Sequence, residues 1–113
     1  MKIYLAIPYA FNPEKSFSVA NKMTAQLMQS GHVVFSPISH SHPVAEHLSG
    51  ELKSSHDFWM QQDLPMVEWA DELHVVCIGE MGSELIQNSK GVQSEIKHAI
   101  KHKKTIKVID YYD

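Results

Sequence analysis

The 113-residue chain contains no arginine, so its ten basic residues are all lysine. That absence removes the planar fork that grips phosphates and carboxylates bidentately, leaving Lys, His, hydroxyls and backbone N–H groups to hold any anion. With a net charge of −3, the composition speaks against a nucleic-acid polymer as partner, since such binding draws its affinity from a basic face that neutralises phosphates. A small anionic ligand stays within reach. Cysteine is nearly absent as well: Cys77 stands alone, inside the apolar run LHVVCI. It reads as a small buried hydrophobe rather than a nucleophile or ligand, and a reducing, cytoplasmic location is the expectation. No run approaches the roughly 18 apolar residues of a membrane span. The opening MKIYLAIPYAF is short, broken by Pro8 and without a small-residue cleavage site, so it is not expected to act as a signal peptide. Internal repeats and low-complexity segments are also missing.

What is present is the balance of an ordinary globular protein, 43% hydrophobic and 20% charged, and the length suits one domain over residues 1–113. Residues 2–7, KIYLAI, predict a short strand. Asn12 as N-cap, Pro13 at the first helical position and Gly31 as stop predict a helix between them. Its inward stripe is expected to be Phe17, Ala20, Met23, Thr24 and Leu27. A second strand, HVVFSP, leads into residues 38–55, expected to be an irregular functional loop. Helical spacing returns over residues 56–71, with a bend expected near Pro65. A third strand, ELHVVCI, ends at Gly79. A loop over 79–91, a helix over 92–104 and a strand over 105–110 complete the order. Strands alternating with helices, and strands apolar almost throughout, predict an α/β fold: a three-layer, doubly wound, flavodoxin-like parallel sheet of four to five strands. Ligands bind such sheets beyond the carboxyl ends of the strands, where the strand order reverses. Residues 8–12, 36–44 and 79–91 should therefore converge.

Two carboxylates stand out at that edge. Glu95 lies at helical spacing from Val92 and Ala99, beside the stripe carrying Ile96 and Ile100. A glutamate early in a helix usually just complements the dipole, but ionised carboxylates are seldom placed on an apolar side without a partner. Asp63 has Trp59 four residues before it and Met66 and Val67 after it. Such surroundings should raise its pKa toward that of a general acid; the bland alternative is a cap for a helix restarting at Leu64-Pro65. His40, His42, His47 and His56 match no compact zinc spacing, and no metal or other cofactor is expected. His40 is expected to face a substrate instead. The lysines of KHAIKHKKTIK read as a solvated face, and Tyr111 and Tyr112 as packing residues.

Four stretches, IYLAIPYA, FSPISHSHP, QQDLPMVEWADELHVV and SKGVQSEIKHAIKHKKTIKVI, together resemble the nucleoside 2-deoxyribosyltransferase superfamily, with its small nucleotide N-glycosidases. More closely, they are similar to an uncharacterised bacterial and phage family within that group. The resemblance covers nearly the whole chain. It implies that Glu95, in the G-x-x-x-E motif starting at Gly91, is the nucleophile, that Asp63 is the second catalytic carboxylate, and that Tyr4 hydrogen-bonds the nucleophile. It implies cleavage of an N-glycosidic bond through an oxocarbenium-like transition state and a covalent glycosyl-enzyme, a retaining scheme whose carboxyl groups sit about 5 Å apart. Ser89, six residues before Glu95, takes the place of an aspartate that binds a 5′-hydroxyl in the transferases, and matches a serine in members that accept a 5′-phosphate. Pro8, Tyr9, His40, Ser89 and Gly91 are the expected substrate-binding residues. The first loop, IPYAFN, departs from the Gly- and Arg-containing phosphate loop of the nucleotide hydrolases. The chain ends at Asp113, without the C-terminal extension through which many relatives complete a neighbour's site. The expected partners are a small nucleoside or nucleotide and further copies of the chain, as a homodimer or higher homo-oligomer, with no membrane. The alternative is a noncatalytic module that binds or sequesters a nucleotide in the same cleft.

Overall fold

The structure, a computed structural model, describes residues 1–113. Its elements in chain order are β1 (Lys2–Ala6), α1 (Pro13–Gln29), β2 (Val33–Phe35), α2 (Pro37–Val44), a 3-10 turn (Ala45–His47), α3 (Gly50–Lys53), α4 (His56–Trp69), β3 (Glu72–Ile78), α5 (Gly82–Asn88), α6 (Lys90–Lys101) and β4 (Thr105–Tyr111). The four strands pair in parallel in the order β2-β1-β3-β4. The order reverses between β1 and β3, so this is the doubly wound α/β sheet that the alternation of elements predicts. No helix is long and apolar enough to cross a membrane.

Alternate residues of a strand face opposite sides, and the two cores follow from that rule. Tyr4 and Ala6 of β1 join Leu73 and Val75 of β3, Val67 and Ala70 at the end of α4, and Val92 and Ala99 of α6 on one face. Leu5, Ile7, Val76 and Ile78 meet Val19, Ala20 and Met23 of α1 on the other. Tyr4 is thereby aimed at the α4–α6 layer.

The start of α1 is as read: the Asn12 side chain accepts from the Lys15 N–H at 3.2 Å, Pro13 opens the helix, and Gly31 follows it with φ +94°. Its buried stripe is rotated from the expected one, to Ser16, Val19, Ala20 and Met23, with Phe17, Thr24 and Leu27 half-buried. The Ser16 hydroxyl donates to the Pro8 carbonyl at 2.5 Å, so a polar side chain takes the core position and fastens the β1–α1 loop to the helix. Phe17 instead stacks on the His42 ring, with centroids 4.3 Å apart.

Other expectations need correction. Residues 38–55 are mostly helical rather than irregular. Ser36-Pro37 starts α2, and the Ser49 hydroxyl accepts from Leu52 N–H to start α3. Residues 82–88 of the expected loop form α5, and α6 begins at Lys90 rather than at residue 92. α4 runs unbroken through Pro65 and is capped by Ser55, so Asp63 lies within the helix and caps nothing. Ile100 is 63% exposed; the inward side of α6 is Val92, Glu95 and Ala99, with Ile96 at its margin. Tyr111 packs against the α1-side core, whereas Tyr112 is exposed.

Cys77 is half-buried rather than buried. Burial and the neighbouring Asp110 push its thiol up, which keeps it protonated. Its sulfur lies against Gly82, where an added Cβ would sit 2.4 Å from the Cys77 Sγ and 2.8 Å from its carbonyl carbon. Backbone on one side of that contact cannot move aside as a side chain could. Gly82→Ala should therefore lower unfolding stability by about 1–3 kcal/mol, as overpacking does. A denaturant midpoint equal to that of the unsubstituted chain would contradict this.

Candidate active site

At the carboxyl ends of the central strands lies a cavity of about 890 Å³. Its walls are the β1–α1 loop (Pro8, Tyr9), α2 (Pro37, Ile38, His42), residues 53–63 (Lys53, His56, Trp59, Met60, Asp63) and the α5–α6 junction (Asn88, Ser89, Lys90, Gly91, Val92, Glu95). The three segments expected to converge all contribute. The wall from Lys53 to Met60 was not anticipated, apart from Asp63 just beyond it.

Glu95 is 5% exposed and Asp63 6%; they come from α6 and α4 and line the same cavity. Tyr4, wholly buried at the centre of β1, donates its hydroxyl proton to Glu95 Oε2. Burial pushes the Glu95 carboxyl up to about 8; the bond from Tyr4 opposes this rise, and the charge of Asp63 adds to it. Burial raises Asp63 to about 6. Tyr4 is held well above the ordinary phenol range by burial and then by the charges of Glu95 and Asp63, so it remains a donor. Asp63 Oδ1 is buried and has no partner in the chain. A buried carboxyl oxygen without a donor is unfavourable by roughly 1–3 kcal/mol, and a ligand bearing an N–H or O–H group would relieve it.

Around this pair several polar side chains are already paired, while those of Ser41, Asn88, Lys53 and Lys90 are not. The Tyr9 hydroxyl and His42 Nδ1 are 2.5 Å apart, and His42 Nε2 lies 3.2 Å from a Glu14 carboxylate oxygen. His56 Nε2 meets the Ser94 hydroxyl at 3.1 Å, next to Glu95 in the chain. The Ser89 hydroxyl accepts from Val92 N–H at 3.2 Å, so Ser89 is the N-cap of α6 and also lines the cavity. Gly91 lines it too. A Cβ there would come only to 3.9 Å from the Met60 Cε, so packing does not demand glycine.

His40 is not with them. It is exposed and borders a separate hollow of about 90 Å³ with Val44, Phe58 and Trp59. His47 is exposed outside the cavity, and with His42 and His56 already paired the four histidines do not gather around one point. Tyr4, Pro8, Tyr9, Asp63, Ser89, Gly91 and Glu95 are brought together; His40 is left out.

A family model described as Domain of unknown function (DUF1937) matches residues 1–111. No curated protein matches the chain. Among solved structures, a 2-deoxyribosyltransferase from the psychrotolerant bacterium Bacillus psychrosaccharolyticus superposes with a TM-score of 0.69 at 26% identity, covering 97% of this chain and 72% of its own. A 2-desoxiribosyltransferase from Leishmania mexicana superposes with a TM-score of 0.62 at 17% identity, covering 96% of this chain and 63% of its own. The second likeness is one of fold alone.

Proposed function

The chain belongs to the DUF1937 family and to the nucleoside 2-deoxyribosyltransferase-like superfamily, and from that premise we propose that it cleaves or transfers at the N-glycosidic bond of a (deoxy)nucleoside or nucleoside 5′-monophosphate, with Glu95 as nucleophile. The observation that carries this reading is a pair of buried carboxyl groups from two helices on one cavity, one of them held by the Tyr4 hydroxyl. The Bacillus protein's description as a 2-deoxyribosyltransferase supports the reaction class.

In this reading the Glu95 carboxylate attacks C1′ as the bond to the base breaks, and positive charge develops on the sugar ring. Asp63, as the acid, gives its proton to the departing base. The product is an ester between C1′ and Glu95, with Asp63 now ionised. Water, giving its proton to Asp63, or a second base then attacks C1′ and frees Glu95. Tyr4 holds the Glu95 carboxylate in one orientation and steadies its charge when the ester breaks.

The productive form has one proton on the pair, because Glu95 must be ionised and Asp63 protonated. With the two carboxyl groups at about 6 and about 8, kcat/KM for base release should describe a bell with limbs near those values, whichever member holds the proton at rest. A profile with no descending limb above about pH 8 would remove the acid role from Asp63.

In this reading a 5′-phosphate would bind at the N-terminal end of α6, a favourable place for an anion, where Ser89, Lys90 and Gly91 line the cavity together with Lys53. Ser89→Asp keeps a good N-cap while placing a charge against the phosphate. It should leave stability nearly unchanged and raise KM for monophosphates much more than for nucleosides. An equal change for both would separate Ser89 from phosphate binding.

The direct test is release of free base from a panel of (deoxy)nucleosides and their monophosphates, with and without an acceptor base. No release from any of them by folded protein, with ligand recovered intact and binding that survives Glu95→Gln, would replace this reading with a noncatalytic nucleotide-binding module. A homo-oligomer belongs to the same proposal. β4 is an open sheet edge, with Val108 exposed on it and Tyr112 exposed just beyond its end; light scattering on the purified chain measures the assembly.

A further inference from the structure

Away from the cavity, the only group of three or more His, Cys, Asp or Glu side chains that bring their donor atoms close together is Glu68, His98 and His102, all within 4.8 Å of one another. His98 and His102 are four residues apart at the end of α6 and share a face; their rings are 4.5 Å apart, centroid to centroid. Glu68, near the end of α4, faces them. Its Oε2 lies 2.8 Å from His98 Nε2 and 4.0 Å from His102 Nε2. Hydrogen bonding from His98 and the charges of both histidines and Lys101 keep the Glu68 carboxyl below its ordinary range.

We infer that Glu68, His98 and His102 form a binding site for a divalent transition-metal ion of the zinc class, joining α4 to α6. A tetrahedral ion with bonds of roughly 2.0–2.2 Å spaces its donors by about 3.3–3.6 Å. The two nitrogen–oxygen separations bracket that range and no pair of donors is more than 4.8 Å apart, so rotation of the exposed Glu68 and His102 side chains toward the half-buried His98 seats the ion. Two imidazoles and one carboxylate suit Zn²⁺, Co²⁺, Ni²⁺ or Cu²⁺; Mg²⁺ and Ca²⁺ prefer oxygen donors. Three protein ligands leave a fourth position for water, and the half-exposed site admits it. Lys101 is the opposing charge nearby, and its flexible stem can turn to solvent.

The location gives the ion a structural consequence. Glu68 lies five residues beyond Asp63 on α4, and His98 three beyond Glu95 on α6, so the ion would tie together the two helices that carry the carboxyl pair. An ion held by both helices in the folded chain, and not in the unfolded one, raises the melting temperature. This inference does not depend on the glycosidic reading, and its test uses no substrate.

The test is titration of the full chain, freed of any purification tag, with Co²⁺ followed by visible absorption, and thermal unfolding with Zn²⁺, Mg²⁺ or Ca²⁺. The expected result is one equivalent of Co²⁺ giving ligand-field bands, their displacement by Zn²⁺, and a rise of several degrees in Tm with Zn²⁺ but not with Mg²⁺ or Ca²⁺. His98→Gln/His102→Gln should lose the bands and the rise. His40→Gln/His47→Gln should keep both. Should the first double variant fail to fold, His102→Gln alone, at an exposed helix end, should show the loss. Absence of bands in the unsubstituted chain, or bands that persist without His98 and His102, overturns the site.

Discussion

Glu95→Gln is expected to reduce base release on the order of 10⁴-fold or more, the scale on which removing a nucleophile acts. Glutamine keeps the shape of the side chain and a carbonyl oxygen that can accept from Tyr4, so the cavity and its hydrogen bond persist. What disappears is the oxygen pair able to carry negative charge and form an ester with C1′. An amide is a poor nucleophile, and its neutral group cannot offset the charge that develops on the sugar. Free base measured chromatographically, with circular dichroism confirming the fold, decides the matter. Activity within tenfold of the unsubstituted chain would remove Glu95 from the covalent step, leaving Asp63 and water to account for cleavage.

The same substitution should make the protein more stable, by an amount that depends on pH. Glu95 rises from an ordinary value of 4.5 to about 8 on folding. Between those values the unfolded chain releases the proton while the folded chain retains it, so folding of the unsubstituted protein weakens as pH climbs from 4.5 to 8 and levels off above. Glutamine has no proton to lose. The variant should match the unsubstituted chain near pH 4.5 and exceed it at pH 8 by on the order of a few kcal/mol. Unfolding curves at several pH values measure the gap. A constant difference across that interval would mean that Glu95 ionises freely in the folded state. Asp63 should show a smaller effect of the same sign, complete by about pH 6. A buried carboxyl pair that weakens the fold as it ionises is the kind of cost in stability that a functional site would carry.

Much of the architecture can be read in the chain because the signals are local. Asn12-Pro13 and Gly31 bound α1 through backbone chemistry confined to a few residues, and the apolar runs of β1 and β3 reflect strands covered on both faces. The carboxyl pair is legible for a related reason: at helical spacing, Val92 and Ala99 flank Glu95, and Trp59, Met66 and Val67 flank Asp63, so their apolar setting can be counted along the sequence. What escapes is decided by packing between distant elements. Only Pro37 is fully buried in α2, so the helices of residues 37–53 leave almost no amphipathic trace. The stripe of α1 turns because Ser16 bonds the Pro8 carbonyl, a contact that no hydrophobic pattern encodes. His40 and His42 stand two residues apart, yet only His42 reaches the cavity, because the pitch of a short helix separates them. The wall from Lys53 to Met60 joins the site because α3 and α4 dock beside it.

The bond from Tyr4 to Glu95 spans 91 positions of the chain. During synthesis β1 emerges early and can pair only with β2. Its other edge stays open until β3 follows, and Glu95 gains its phenol partner only after α6 has left the ribosome. A nascent chain that stalls before that point exposes a central hydrophobic strand and has no assembled cavity, so it is prone to edge pairing with other chains. Premature termination anywhere before the final helix thus yields aggregation-prone fragments rather than weakly working protein.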